Sequence, residues 1–163
     1  MRSLARARDP VELPQVVGWI HDQIITQGCV AHDREARILD IEYWLMMYEK
    51  RELIRNRLIW KDWRYPLARS ILRIREVESW ELTLDSETGT YELTDITFDP
   101  ERRLLTLDTT PAYIVEATVI SLNVEALTSD EPTGWRRIWE GLIGQGWRHG
   151  KGWLHIPGYS DSG

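Results

Sequence analysis

A chain of 163 residues, 42% hydrophobic and 28% charged, holds enough apolar material for one domain-sized core, which excludes wholesale disorder and dependence on disulfides. A single cysteine excludes an internal cross-link, and no apolar run approaches the ~18 residues of a membrane-spanning helix, so a cytoplasmic protein without membrane association is expected. The net charge of −6 weighs against general nucleic-acid binding, and the basic opening Met1–Arg8 is followed by no apolar stretch of a signal peptide.

Residues 1–8 carry no apolar pattern and are expected to form a flexible arm. A helix is expected from Asp9, with Asp9 as N-cap, Pro10 at the first helical position and Glu12 as the carboxylate of a capping box. Pro14 shifts the regular start toward itself. Leu13, Val17, Ile20 and Ile24 make one apolar stripe, and Gly28 suits the left-handed stop.

Residues 34–60 carry both helix formers and an alternating pattern, Leu39, Ile41 and Tyr43 against Asp40 and Glu42. An internal match favours strand. Asp33-Arg-Glu-Ala-Arg-Ile-Leu-Asp-Ile41 parallels Asp99-Pro-Glu-Arg-Arg-Leu-Leu-Thr-Leu107, and the second copy reads as a hairpin, with Asp and Pro at the first two positions of a type I turn. The first copy is therefore expected to be a hairpin too, with Cys29–His32 as its first arm. Leu53–Trp60 is expected as a strand broken by Trp63–Pro66. Ile71–Leu84 reads as a long strand whose alternation slips at Glu76, and Asp85–Thr90 as a loop. Tyr113–Leu127 is the most β-like stretch, expected to be covered on both faces. After a break around Pro132, Gly134–Ile143 is expected to be a short helix carrying Trp135 and Trp139, followed by an irregular Gly- and Trp-rich tail.

The predicted fold class is α+β and mainly antiparallel β. It comprises a flexible arm (1–8), a single domain (9–143) and a C-terminal tail (144–163). Its elements are an N-terminal helix, about seven strands in a curved sheet, sandwich or open barrel, and a short C-terminal helix. This element order resembles a pleckstrin-homology-like barrel.

No phosphate loop, dinucleotide fingerprint, nucleophile elbow or zinc-protease helix is present. Cys29 and His32 have metal-ligand spacing, and His149 and His155 lie far along the chain. A small buried thiol and surface histidines explain them better, so neither metal nor cofactor is expected. His21 reads as a helix residue rather than a base. The carboxylate pairs Glu76/Glu78 and Asp99/Glu101 are explained by a solvated strand and a turn. Glu116, inside an apolar strand, is expected to pair with an arginine of the 55–75 region.

Charge is segregated. Basic residues crowd Lys50–Arg75, whereas Glu76–Glu131 is mostly acidic. Nine tryptophans against one phenylalanine supply large amphipathic faces. Trp135, Trp139, Trp147 and Trp153, interleaved with Arg136, Arg137, Arg148 and Lys151, are the candidate partner-binding residues, because Trp and Arg dominate interface hot spots. The leading expectation is a non-enzymatic binding module for a protein partner. One alternative is a small hydrolase-like enzyme with a pocket on the sheet. Another is single-stranded nucleic-acid binding through Arg55, Arg57, Trp60, Trp63, Arg73 and Arg75. Edge strands would also allow a homo-oligomer.

Overall fold

The alternating side chains of this sequence form strands over most of its length. A computed structural model describes residues 1–84, 89–143 and 146–158, with side chains described for all of these except 143–152. Among the described residues there are twelve strands: β1 (Arg2–Ala7), β2 (Ile24–Thr26), β3 (Val30–Asp33), β4 (Ile38–Met46), β5 (Glu52–Asn56), β6 (Trp60–Arg75), β7 (Val77–Leu84), β8 (Thr90–Asp99), β9 (Leu104–Thr110), β10 (Tyr113–Val119), β11 (Val124–Ile143) and β12 (Gly146–His155). One α-helix, α1 (Leu13–Ile20), and a 3₁₀ turn at Tyr48–Lys50 complete the inventory. None of the described helices is long and apolar enough to cross a membrane. The mainly antiparallel β class is as the sequence reads; the element count and the C-terminal helix are not.

The chain divides into two units. The first comprises Met1–Leu45 and Ser70–Ser129. Its strands pair in the order β1-β11-β6-β4-β2-β8-β9-β10-β7, with β3 added on β4. Its core gathers one face of each strand: Leu39, Ile41 and Tyr43 of β4, Leu72 and Ile74 of β6, Leu105 and Leu107 of β9, and Tyr113, Val115, Ala117 and Val119 of β10. Leu13, Val16 and Ile20 press α1 onto it. Burial on alternate residues, rather than on both faces, is the rule even in β10, where Ile114, Glu116 and Thr118 remain partly exposed.

Several expected elements are redrawn by pairing partners that lie far away in sequence. The N-terminal residues expected to be an arm form β1, registered on β11 from Arg2↔Thr128 to Ala7↔Val124. The helix stops at Ile20, short of Gly28. Asp22 takes a left-handed φ of 63° and donates its N–H to the Leu93 carbonyl, and Ile24–Thr26 join β4 and β8 as β2. Its N-terminus departs from the expected cap as well. Asp9 Oδ1 accepts from the N–H groups of Val11 and Glu12, and Glu12 reaches back to the Arg8 N–H at 2.7 Å.

Both Asp-initiated segments are hairpins. Asp33 Oδ1 accepts from the Ala36 N–H, and Asp99 Oδ1 from the Glu101 and Arg102 N–H groups. The slip at Glu76 is a corner rather than a bulge: Glu76 adopts φ 60°, ending β6 and starting β7. Of the expected loop Asp85–Thr90, residues 85–88 lie outside the described residues, and Thr90 already belongs to β8.

The second unit comprises Met46–Arg69 and Asp130–Gly163. Its sheet runs β5-β6-β11-β12. Three expectations are corrected here. Pro66 does not break β6; its carbonyl accepts from the Met47 N–H, and a missing N–H on that same side of the strand leaves no gap in the β5 ladder, which has ended at Glu52↔Arg64. Gly134–Ile143 is strand, not helix, because β11 finds neighbours in β6 and β12. Within the Gly-rich tail, Gly146–His155 form β12, registered on β11 from Trp135↔His155 to Ile143↔Gly146. Without its terminal helix, the chain loses the likeness in element order to a pleckstrin-homology-like barrel.

Candidate functional site

The second unit concentrates exposed apolar side chains. Leu58 is 98% exposed in the turn between β5 and β6, and Ile59 58%. Leu53, Ile54, Trp139 and Leu142 are exposed as well, and Trp153 reaches 74%. Ile59, Trp60, Trp139, Leu142 and Trp153 line one groove of about 510 Å³.

Its geometry follows from strand pairing. The Leu142 N–H donates to the Ile59 carbonyl at 2.8 Å, which brings the start of β6 beside the end of β11. Trp60 and Asp62, two residues apart, share a face of β6, as Arg137, Trp139 and Gly141 share a face of β11. Gly141 leaves room for its neighbour: a Cβ there would stand 3.1 Å from the Trp139 ring.

The polar wall of the groove is an ion pair. Arg137 Nε donates to Asp62 Oδ1 at 3.2 Å, and a second, closer bond joins its Nη2 to Asp62 Oδ2. That hydrogen-bonded carboxylate holds the Arg137 guanidinium above its ordinary pKa. The pair presents no net charge, so the groove is an apolar, indole-lined surface with one neutral polar wall.

Three of the four tryptophans read from the sequence as partner-binding are placed by side chain. Trp139 and Trp153 line the groove. Trp135 is engaged instead within the unit: it stacks on His155 at 5.7 Å between centroids, and the Arg64 guanidinium lies 5.1 Å over its ring. Trp147 pairs with Leu142 through the backbone, and its side chain lies outside the described residues. The adjacent Arg136 is buried, which lowers its pKa.

The residues proposed for nucleic acid are distributed over both units. Arg55, Arg57, Trp60 and Trp63 belong to the second. Trp63 donates its Nε1–H to Glu140 at 3.1 Å and is covered by the Arg51 guanidinium at 4.6 Å. Arg73 and Arg75 belong to the first, where Arg73 makes a bidentate pair with Asp40 at 2.7 and 2.8 Å and Arg75 lies 3.6 Å from Glu125.

The titratable groups singled out from the sequence have the following partners. The Cys29 thiol donates to the Tyr113 hydroxyl at 3.5 Å, and burial pushes its pKa up to about 11, so it is a neutral thiol at physiological pH. Glu76 accepts from Ser121 Oγ at 2.5 Å, Glu78 from Arg103 at 3.1 Å, and His21 lies 3.1 Å from its exposed neighbour Asp22. Among the described residues no three His, Cys, Asp or Glu side chains gather as metal ligands. Glu116 faces Glu81 and Thr106 across the neighbouring strands, rather than an arginine of the 55–75 region.

Sequence reasoning selected Trp139 and Trp153 but missed Ile59, Leu142 and the Asp62–Arg137 pair. A signal for the hairpin was available: Leu53-Ile-Arg-Asn-Arg-Leu-Ile-Trp60 holds five apolar residues and no acid.

No protein-family model, curated protein or solved structure matches this chain.

Proposed function

We propose that this chain is a non-enzymatic binding module that holds a polypeptide partner through the tryptophan-walled groove of its second unit. The observation carrying this reading is the concentration of Ile59, Trp139, Leu142 and Trp153, all exposed, around one cavity of about 510 Å³. Scattered apolar residues are ordinary on a surface, but a contiguous patch with a polar border marks an interaction site. Indoles supply large contact area at small entropic cost, which is why Trp anchors interfaces. Charge selects the guest. With Asp62 and Arg137 neutralising each other, a buried charge from the partner would find no counterion, so an aliphatic or aromatic side chain is favoured.

The test uses a displayed library of random peptides selected on the full chain. The expected outcome is enrichment of peptides with a central aromatic or aliphatic residue, whose affinity falls by about tenfold or more on Trp153→Ser with Leu142→Ser. Circular dichroism of the variant confirms an unchanged fold. No enrichment, or peptides that bind the variant as tightly as the parent, would overturn the reading.

A further inference from the structure

Residues of the first unit alone line a second groove, of about 460 Å³, between the β3–β4 hairpin and the start of β7. His32, Arg34 and Arg37 come from the hairpin; Glu78, Ser79 and Trp80 come from β7. The two walls are fixed to one another, because the Val77 N–H donates to the Arg37 carbonyl at 3.0 Å.

The charges of this groove are unbalanced. Glu78 is its one acidic lining residue, and its carboxylate is taken by Arg103 at 3.1 Å. Asp33, in the same turn as the arginines, accepts from the Ala36 N–H. Among the described residues Arg34 and Arg37 have no carboxylate partner. The His32 ring meets Trp80 edge-on at 6.2 Å, so aromatic rings form part of the groove's lining.

The equivalent arginine of the internal repeat holds a carboxylate at the same turn position. Arg37 and Arg103 are equivalent residues of the two matching hairpins, with φ 54° and 53°. Each carbonyl accepts a strand N–H, from Val77 and Val119 respectively. Arg103 holds a carboxylate of the chain itself; its counterpart Arg37 holds none and faces the groove.

We infer that this groove binds a small organic carboxylate with a flat apolar body. The carboxylate takes the guanidinium forks of Arg37 and Arg34, a geometry for which arginine is pre-organised. The apolar body lies against Trp80 and His32.

Benzoate is the probe, with acetate and inorganic phosphate at matched ionic strength, followed in amide and His ring NMR spectra of the full chain. Benzoate is expected to produce saturable shifts at His32, Arg37 and Trp80. Acetate should bind about tenfold more weakly, since it lacks the apolar body. Arg34→Gln with Arg37→Gln should weaken benzoate by about tenfold or more, the loss expected for hydrogen bonds to a charged group. Arg103→Gln should weaken it as well, by releasing the Glu78 carboxylate into the groove. The dispersed spectra report the fold of each variant. Absence of saturable shifts, shifts centred elsewhere, unchanged affinity in the double variant, or phosphate binding as tightly as benzoate would each overturn the assignment.

Discussion

Arg37 and Arg103 close two hairpins with the same left-handed backbone conformation, φ 54° and 53°, four residues after an aspartate whose carboxylate caps the turn. A Cβ in this region costs on the order of 1 kcal/mol relative to glycine. Arg37→Gly is therefore expected to raise stability by about 0.5–1 kcal/mol in denaturant unfolding. Arg103→Gly should gain less, because it also removes the exposed pair with Glu78. Equal gains from both would show that this pair contributes nothing measurable.

The hairpins were legible because their cause is local. Asp at the turn and alternation on either side act within a few residues, and the repeat of Asp33–Ile41 at Asp99–Leu107 doubled the signal. Trp135 and Trp139 misled for an equally physical reason. Residues four apart share a face of a helix and a face of a strand alike, so the spacing does not distinguish them. Only the pairing of β11 with β6 and β12 decides it. The same holds for the groove. Its tryptophans stood out by composition, but Ile59, Leu142 and the Asp62–Arg137 pair are brought together by the register of strands distant in sequence. Ile24 continues the stripe of α1 at helical spacing, yet hydrogen bonds from Asp22 and Leu93 draw the chain into a strand before the stripe ends.

Glu116 and Glu81 stand directly opposite each other on β10 and β7. Like charges in that relation oppose pairing. Glu81→Lys is expected to stabilise the protein by about 0.2–1 kcal/mol. The gain should shrink in high salt, as screening removes both the repulsion and the new attraction. Guanidinium masks such effects, so urea titrations at low and high sodium chloride are the measurement. No gain at low salt would mean that the two carboxylates do not sense each other.

Gly134 makes the docking of β12 possible. A Cβ there would stand 2.6 Å from the His155 carbonyl oxygen, a backbone atom that cannot rotate away, and 3.5 Å from the Leu67 Cβ. Gly134→Ala is expected to cost about 1–3 kcal/mol, as overpacked sites do. The loss should appear first as reduced hydrogen-exchange protection across Leu154 and His155. Gly18→Ala, where a Cβ meets nothing within 4 Å on α1, serves as the control and should leave that protection intact. Unchanged exchange in Gly134→Ala would show that β12 adjusts without cost.

Cys29 gives the chain an alkaline limit. Burial raises its thiol from an ordinary 9.0 to about 11 and opposes the thiolate, and burial also raises the phenols of Tyr43 and Tyr113. The native state thus keeps a proton that the unfolded chain releases near pH 9. Because the folded pKa is the higher one, this contribution is fully present below pH 9 and is lost as pH rises toward 11. The unfolding free energy from denaturant titrations should fall over that interval, by up to about 3 kcal/mol from this group. Cys29→Ala should flatten the part of the fall that precedes tyrosine ionisation. A chemical check is independent of unfolding energetics. At pH 8 the native thiol carries about a hundredfold less thiolate than the unfolded one, so iodoacetamide should label it at least that much more slowly. Equal labelling rates in native buffer and in denaturant would place the Cys29 thiol in solvent and remove both expectations.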